Sequence, residues 1–222
     1  MLPHAALFDL DGTLVDSIGD IAASMNHSLT QHGLPPHPVA AYLQFVGEGV
    51  MMLVRRATPE GREALHSSVL ASYRAHYAEH LFDQTRPFPG LPSVLELLAA
   101  ERVRLAVLSN KAEAFTQQLV AGLLPGIPFK AVHGERPGVP RKPDPTAALA
   151  LAAQLGVEPV DCAFVGDTPV DMDTARAAGM YSIGVTWGFR SAAELRAHGA
   201  RALVASADEL LEALRSARGE VR

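Results

Sequence analysis

Six short, nearly continuous apolar runs recur along the chain, and that rhythm constrains its fold more than any other feature. They read AALFDL, VRLAVLS, FKAVHG, CAFVGD, YSIGVTW and RALVAS. A strand with one face in water alternates apolar and polar residues, whereas a strand covered on both faces reads as an unbroken apolar run. The longer stretches LPSVLELLAAE, KAEAFTQQLVAGL, DPTAALALAAQLG and TPVDMDTARAAG read as helices, and several stop at a glycine as a helix C-terminus does. Strand–helix alternation of this kind predicts an α/β fold: a doubly wound, mostly parallel, Rossmann-like sheet with helices on both faces. Ligands of such sheets sit at the carboxyl ends of the strands.

One region breaks the rhythm. Between residues 15 and 85 no strand is evident, and four helical stretches follow one another: SIGDIAASMNHSLTQHG, VAAYLQFVG, GVMMLVRRA and EALHSSVLASYRAHYAEHLF. The first gives way to GLPPHP, a helix stop and a proline-rich turn. At 222 residues the chain can hold a sizeable core with an insertion. The expected organisation is therefore an α/β domain of residues 1–14 and 86–222, with a helical domain of residues 15–85 inserted after the first strand. Pro87 and Pro89 would stiffen the return.

Charge and cysteine usage exclude several function classes. A net charge of -5 lacks the basic footprint of a nucleic-acid binder. The single cysteine, Cys162, has no partner for an internal disulfide and lies in an apolar run, as a buried core residue would. No apolar run approaches the ~20 residues of a membrane span, and the first residues lack a signal-peptide pattern. The expectation is a cytoplasmic monomer or homodimer without nucleic acid or membrane as partner. His4 and His133 lie near strand ends, but none of the nine histidines has zinc-site spacing.

Four stretches at strand ends carry chemistry. In DLDGT, Asp9 and Asp11 fall on one face of the first strand's end, and Gly12 permits a turn and a close backbone approach. Crowded carboxylates there suit a hard cation such as Mg2+, although two aspartates at a turn also serve as turn caps. An EF-hand loop is excluded, since its third ligand and its glycine would fall on Thr13 and Leu14. In VLSNK, Ser109 and Asn110 join a strand to a helix, as an anion site or as a simple cap. In RKPDP, Lys142 is a point charge held by Pro143 and Pro145, suited to phosphate or aspartate, or else an exposed surface lysine. In FVGDTPVDMD, Asp167 ends a buried strand, and Asp171 follows in a helix's first turn, where an acid is also an ordinary stabilising device. Each has a plain structural reading alone. Together, at the strand ends of one sheet, they make a site for a metal-bound phosphate.

The ordered set DLDGT, LSN, KPDP and GDTPVD resembles the haloacid dehalogenase-like superfamily over nearly the whole chain. The inserted helices resemble the cap domain of its phosphoglycolate phosphatase-like branch. The resemblance implies a Mg2+-dependent phosphatase of a small phosphorylated metabolite, most readily 2-phosphoglycolate, acting through an aspartyl-phosphate. Asp11 speaks against dehalogenation, because dehalogenases lack that second aspartate. Other small phosphate esters or pyrophosphate, a β-phosphoglucomutase-like mutase, and a non-catalytic binding protein on the same fold are the alternatives. Carried over by motif, Asp9 is the nucleophile and Asp11 the general acid and base. Asp9, Asp167 and the Asp11 backbone carbonyl hold Mg2+, while Gly12, Thr13, Ser109, Asn110 and Lys142 face the phosphate. Asp171 orients Lys142 or a metal-bound water. From the cap, Gly47 in the stretch FVGEGV is expected at the substrate, and Arg55 or Arg56 is expected to pair with a substrate carboxylate.

Overall fold

A computed structural model describes residues 2–217. In chain order the elements are β1 (Ala5–Phe8), β2 (Val15–Asp16), α1 (Ile18–Gln31), α2 (Val39–Phe45), α3 (Val50–Ala57), α4 (His66–Glu79), β3 (Arg86–Pro87), α5 (Leu91–Ala100), β4 (Arg104–Ala112), α6 (Glu113–Leu123) and β5 (Ala131–Glu135). There follow α7 (Thr146–Leu155), β6 (Cys162–Gly166), α8 (Pro169–Ala178), β7 (Tyr181–Val185), α9 (Ala192–Ala197), β8 (Ala202–Val204) and α10 (Ala207–Ser216).

Six of the strands form one parallel sheet in the order β5-β4-β1-β6-β7-β8. The continuous apolar runs have a direct cause. Ala6 and Phe8 of β1 and Ala163 and Val165 of β6 enter one hydrophobic cluster, while Ala5, Leu7, Cys162 and Phe164 enter a second. Successive side chains of a strand point to opposite faces, so a sheet covered on both must be apolar at every position. The chain winds from β1 outward through β4 to β5, then crosses back to β6 and winds outward the other way. The reversal falls between the neighbours β1 and β6, which is where an open α/β sheet leaves its ligand crevice.

Helices α1 to α4 lie between β1 and α5 in sequence. α1 and α4 pack together, burying Ile21, Met25 and Leu29 from one and Val69, Tyr73 and Tyr77 from the other. Each set repeats every four residues and so makes a single helix stripe. Ser28 Oγ donates to the Val69 carbonyl at 2.7 Å across that seam. Where the helical segment leaves and returns, β2 and β3 pair antiparallel, Val15 with Pro87 and Asp16 with Arg86. The buried Asp20 accepts from the Thr85 amide at 2.9 Å and its hydroxyl at 2.6 Å, which pins the return beside the first turn of α1.

Three local differences from the sequence reading emerge. Residues 15–85 do contain a strand, the two-residue β2, which is too short to show any periodicity. The helix read from Lys111 begins at Glu113, because β4 continues through Lys111 and Ala112 after its apolar residues end. The short helices α9 and α10 were not read at all, although both start at a serine whose hydroxyl accepts from the amide three residues on. No helix among the described residues is long and apolar enough to cross a membrane.

Candidate active site

Asp9 follows the last residue of β1, and its backbone amide donates to the Val165 carbonyl of β6 at 2.9 Å. Its Oδ1 accepts from the Leu10 amide at 2.7 Å and lies 3.0 Å from Lys142 Nζ. Among the described residues Oδ2 has no hydrogen-bond partner. Lys142 Nζ also reaches Asp171 Oδ1 at 2.7 Å, so one buried ammonium bridges two buried carboxylates. Burial opposes that charge, but Asp171 and Asp9 together outweigh it and hold the Lys142 pKa above its ordinary value.

Asp171 explains how a helix cap and a charge partner coexist in one residue. Thr168 is the N-cap of α8, and Asp171 is the third residue of that helix. Asp171 Oδ2 accepts from the Thr168 amide at 3.0 Å and its hydroxyl at 2.6 Å, which leaves Oδ1 for Lys142. The reciprocal cap fixes the carboxylate's orientation.

Asp167, just past the end of β6, is fully buried, and its charge is felt by the Arg190 guanidinium. Oδ1 accepts from Thr13 Oγ1 at 3.0 Å and Oδ2 from the Phe189 amide at 2.8 Å. A Cβ on Gly12, whose φ is +81°, would stand 2.2 Å from Asp167 Oδ2, and one on Gly188 would stand 2.3 Å from Asp167 Cβ. Two glycine backbones thus close on this carboxylate where no side chain could. Burial, reinforced by Asp171 and Asp9, pushes its pKa well above the ordinary carboxylate range. Asp9 is pushed up to about 7 by burial, against the pull of Lys142 and with the help of Asp171 and Asp11.

Oxygens of Asp9, Asp167 and Asp171 lie within 4.8 Å of one another. Asp171 is committed to the Lys142 ammonium and to the α8 cap. Asp9, and Asp167 with only neutral donors on its oxygens, are the carboxylates left to meet a cation, in an all-oxygen setting with two acids, the donor set of Mg2+ rather than of zinc. A cation there would offset the like-charge crowding that adds to burial in raising both pKa values.

β4 delivers the other side of the site. Its ladder with β5 shifts register between Leu108 and Ala112, and residues 109 to 112 all line one cavity with Asp9 and Asp11. Ser109 is buried, and its Oγ accepts from the Lys111 amide at 3.3 Å. Asn110 is a clamp: its amide group donates to the Lys142 carbonyl at 3.0 Å and to the Gly47 carbonyl at 3.1 Å, and accepts from the Lys142 amide at 3.0 Å. Asp11 Oδ1 accepts from Ser17 Oγ at 2.6 Å, and Lys111 Nζ sits 3.0 Å from both of its oxygens.

Asp9, Asp11, Ser109, Asn110 and Gly47 all line this cavity, with Thr13, Lys142, Asp167 and Asp171 around its base through the bonds above. Arg55 and Arg56 do not line it. Val50 and Leu53 of α3 face inward, and Arg55, two residues beyond Leu53, falls on the other side of the helix, exposed in a shallow depression with Thr58, Glu60, Glu63 and His66. Arg56 pairs with Glu48 and donates to the Phe45 carbonyl at 3.2 Å. The sequence reading passed over Lys111, although it directly follows Ser109 and Asn110. It also passed over Arg190, whose guanidinium fastens the end of α2 through the carbonyls of Leu43 and, at 3.0 Å, Val46.

Comparison with known proteins supplies the kinship. The haloacid dehalogenase-like hydrolase family model matches residues 6–185. The phosphoglycolate phosphatase of Pseudomonas putida is 37% identical over 194 residues, 85% of this chain and 71% of the relative. That of Chromobacterium violaceum is 36% identical over 217 residues, 96% of each chain. A solved structure from Lactobacillus delbrueckii superimposes with a TM-score of 0.91 at 34% identity, covering 96% of this chain and 99% of that one.

Proposed function

The chain belongs to the haloacid dehalogenase-like hydrolase family and is a phosphoric monoester hydrolase, and on that premise we propose that it hydrolyses 2-phosphoglycolate through an aspartyl-phosphate on Asp9, with Mg2+. The observation that carries the chemistry is the buried Lys142 bridging Asp9 and Asp171 beside Asp167, at the carboxyl ends of β1 and β6.

One carboxylate oxygen of Asp9 attacks phosphorus, and the P–O bond to the leaving alcohol breaks as Asp11 gives that oxygen its proton. Water then attacks the aspartyl-phosphate, Asp11 takes the proton, and Asp9 leaves with its carboxylate restored, so that ester and water become alcohol and inorganic phosphate. Ser109, the Asn110 backbone amide and Lys142 hold the phosphoryl oxygens, where positioning and charge neutralisation supply most of the acceleration. Mg2+ held by Asp9, Asp167 and the Asp11 carbonyl supplies further positive charge to the transferring group when bound. Asp171 keeps Lys142 aimed at Asp9. Residues 15–85 act as a cap that closes over the site and excludes water.

The cavity beside Asp9 is lined mostly by apolar side chains of α1, α3, α4 and α6, and these inserted helices are what a substrate's non-phosphorylated end would meet.

The test is kcat/KM with Mg2+ over 2-phosphoglycolate, pyrophosphate, sugar phosphates and nucleotides, read as inorganic phosphate released. A preference for 2-phosphoglycolate of about a hundredfold, about 2.7 kcal/mol of transition-state binding, is expected. A flat profile, or a sugar phosphate that rearranges without releasing phosphate, would overturn the assignment.

A further inference from the structure

Two groups in the cavity are not used by the chemistry above. Lys111 is almost fully buried, with 8% of its side chain exposed. A buried ammonium is costly unless paired. Its carboxylate partner among the described residues is Asp11, the group that must be free to serve the leaving oxygen. The ammonium also stands 4.6 Å from the ring centroid of Tyr77. Tyr77 lines the same cavity, yet its buried hydroxyl has no hydrogen-bond partner among the described residues. An orphaned buried hydroxyl costs about 1–3 kcal/mol. Burial, with Asp11 and Asp20, raises the pKa of that hydroxyl, so it stays protonated and available as a donor.

A buried cation whose partner is needed elsewhere, seated over the ring of a phenol whose hydroxyl has nothing to donate to, is complementary to an incoming anion. The phosphate end is already provided for by Ser109, Asn110 and Lys142. Arg74, exposed at the cavity wall on α4, adds positive charge at the mouth. Tyr73, stacked on Tyr77 at 5.3 Å, and Phe115, edge-on to it at 5.4 Å, hold the phenol ring in place.

We propose that Lys111 and Tyr77 form a carboxylate subsite that selects phosphate esters bearing a second, carboxylate anion at the non-phosphorylated end. Asp11 occupies Lys111 until such a substrate arrives, and the substrate's carboxylate then takes its place. This inference rests on the 2-phosphoglycolate reading and gives it a structural basis: selection comes from β4 and α4, not from Arg55.

The experiment compares kcat/KM for 2-phosphoglycolate with that for 2-hydroxyethyl phosphate, an ester of similar size whose non-phosphorylated end is uncharged. The comparison is made in the wild type, Lys111→Gln and Tyr77→Phe. Any effect of Lys111→Gln on Asp11 acts on both esters and cancels in the ratio. A wild-type ratio near a hundred should fall below about five in Lys111→Gln, and drop several-fold in Tyr77→Phe. Direct titration of both esters into the same variants carrying Asp9→Asn, in Mg2+, should show the same loss in binding. If Lys111→Gln does not fold, the Tyr77→Phe ratio decides, since that change removes a single oxygen. An unchanged ratio in the folded variants would overturn the subsite while leaving the 2-phosphoglycolate assignment intact. A wild type that fails to prefer the carboxylate-bearing ester would take down both.

Discussion

At the scale of single residues, the site is dominated by acids whose charge the fold opposes. Burial lifts the Asp9 pKa from 3.8 to about 7, and Asp167 moves the same way. Between those two values the folded, metal-free protein holds a proton on Asp9 that the unfolded chain releases. This carboxyl therefore lowers stability progressively as pH rises from about 4 to about 7. Mg2+ needs the ionised form, so its binding should strengthen over the same interval. The Tm increase on adding excess Mg2+ should be at least about 4 °C larger at pH 8 than at pH 5.5. In Asp9→Asn that pH difference should shrink and turnover should be lost, with the far-ultraviolet circular dichroism of the fold retained. An equal Mg2+ shift at both pH values, or a larger one at pH 5.5, would contradict this assignment of the metal to Asp9.

At the scale of elements, the start of α8 links helix stability to the charge on Lys142. Thr168→Ala removes one cap bond and should cost about 1 kcal/mol. Asp171→Ala removes the cap's return bond and strips the buried Lys142 of one of its two counter-charges, so a loss of about 3 kcal/mol is expected. Only the second should also lower kcat, by tenfold or more, because only it frees the lysine from its position. Urea unfolding and steady-state kinetics on both variants check this, and equal kcat values would dissociate Asp171 from the chemistry. The elements also mark where sequence reading works. The six sheet strands were legible because burial on both faces leaves unbroken apolar runs; Asp9 and Asp167 stood out as acids just past two of them, Ser109 as the first polar residue after the apolar run of a third, and Lys142 by its proline-flanked turn. Lys111 escaped because β4 runs on beyond its apolar residues, so a strand residue read as the start of a helix. Arg55 drew attention for its charge, whereas the helical register of α3 turns it away from the cavity. The pairing of Lys111 with Asp11 spans 100 residues of sequence, and no local pattern encodes it.

At the scale of the whole molecule, the helical segment and the sheet are joined by more than the β2–β3 pair. One hydrophobic cluster runs from Phe8 and Leu14 through Met25, Tyr42 and Tyr77 to Leu119 and Val165, crossing from strands to inserted helices and back. Polar ties reinforce it where Asn110 meets Gly47, Arg141 the Glu48 carbonyl, and Arg190 the end of α2. Contiguous apolar packing of this kind couples the unfolding of its parts, even where the chain's layout makes an insertion separable on paper. The sole tryptophan, Trp187, reports on the junction: its Nε1 donates to the Thr13 carbonyl at 3.1 Å, and its ring lies 6.2 Å from that of Phe88. Far-ultraviolet circular dichroism weights the helices instead. If the cluster governs, the two signals should trace one coincident urea transition, with midpoints agreeing within experimental error. A circular-dichroism transition that precedes the fluorescence transition would mean that the helices melt off an intact sheet. In that case the three polar ties, rather than the shared core, would be what holds them over the site.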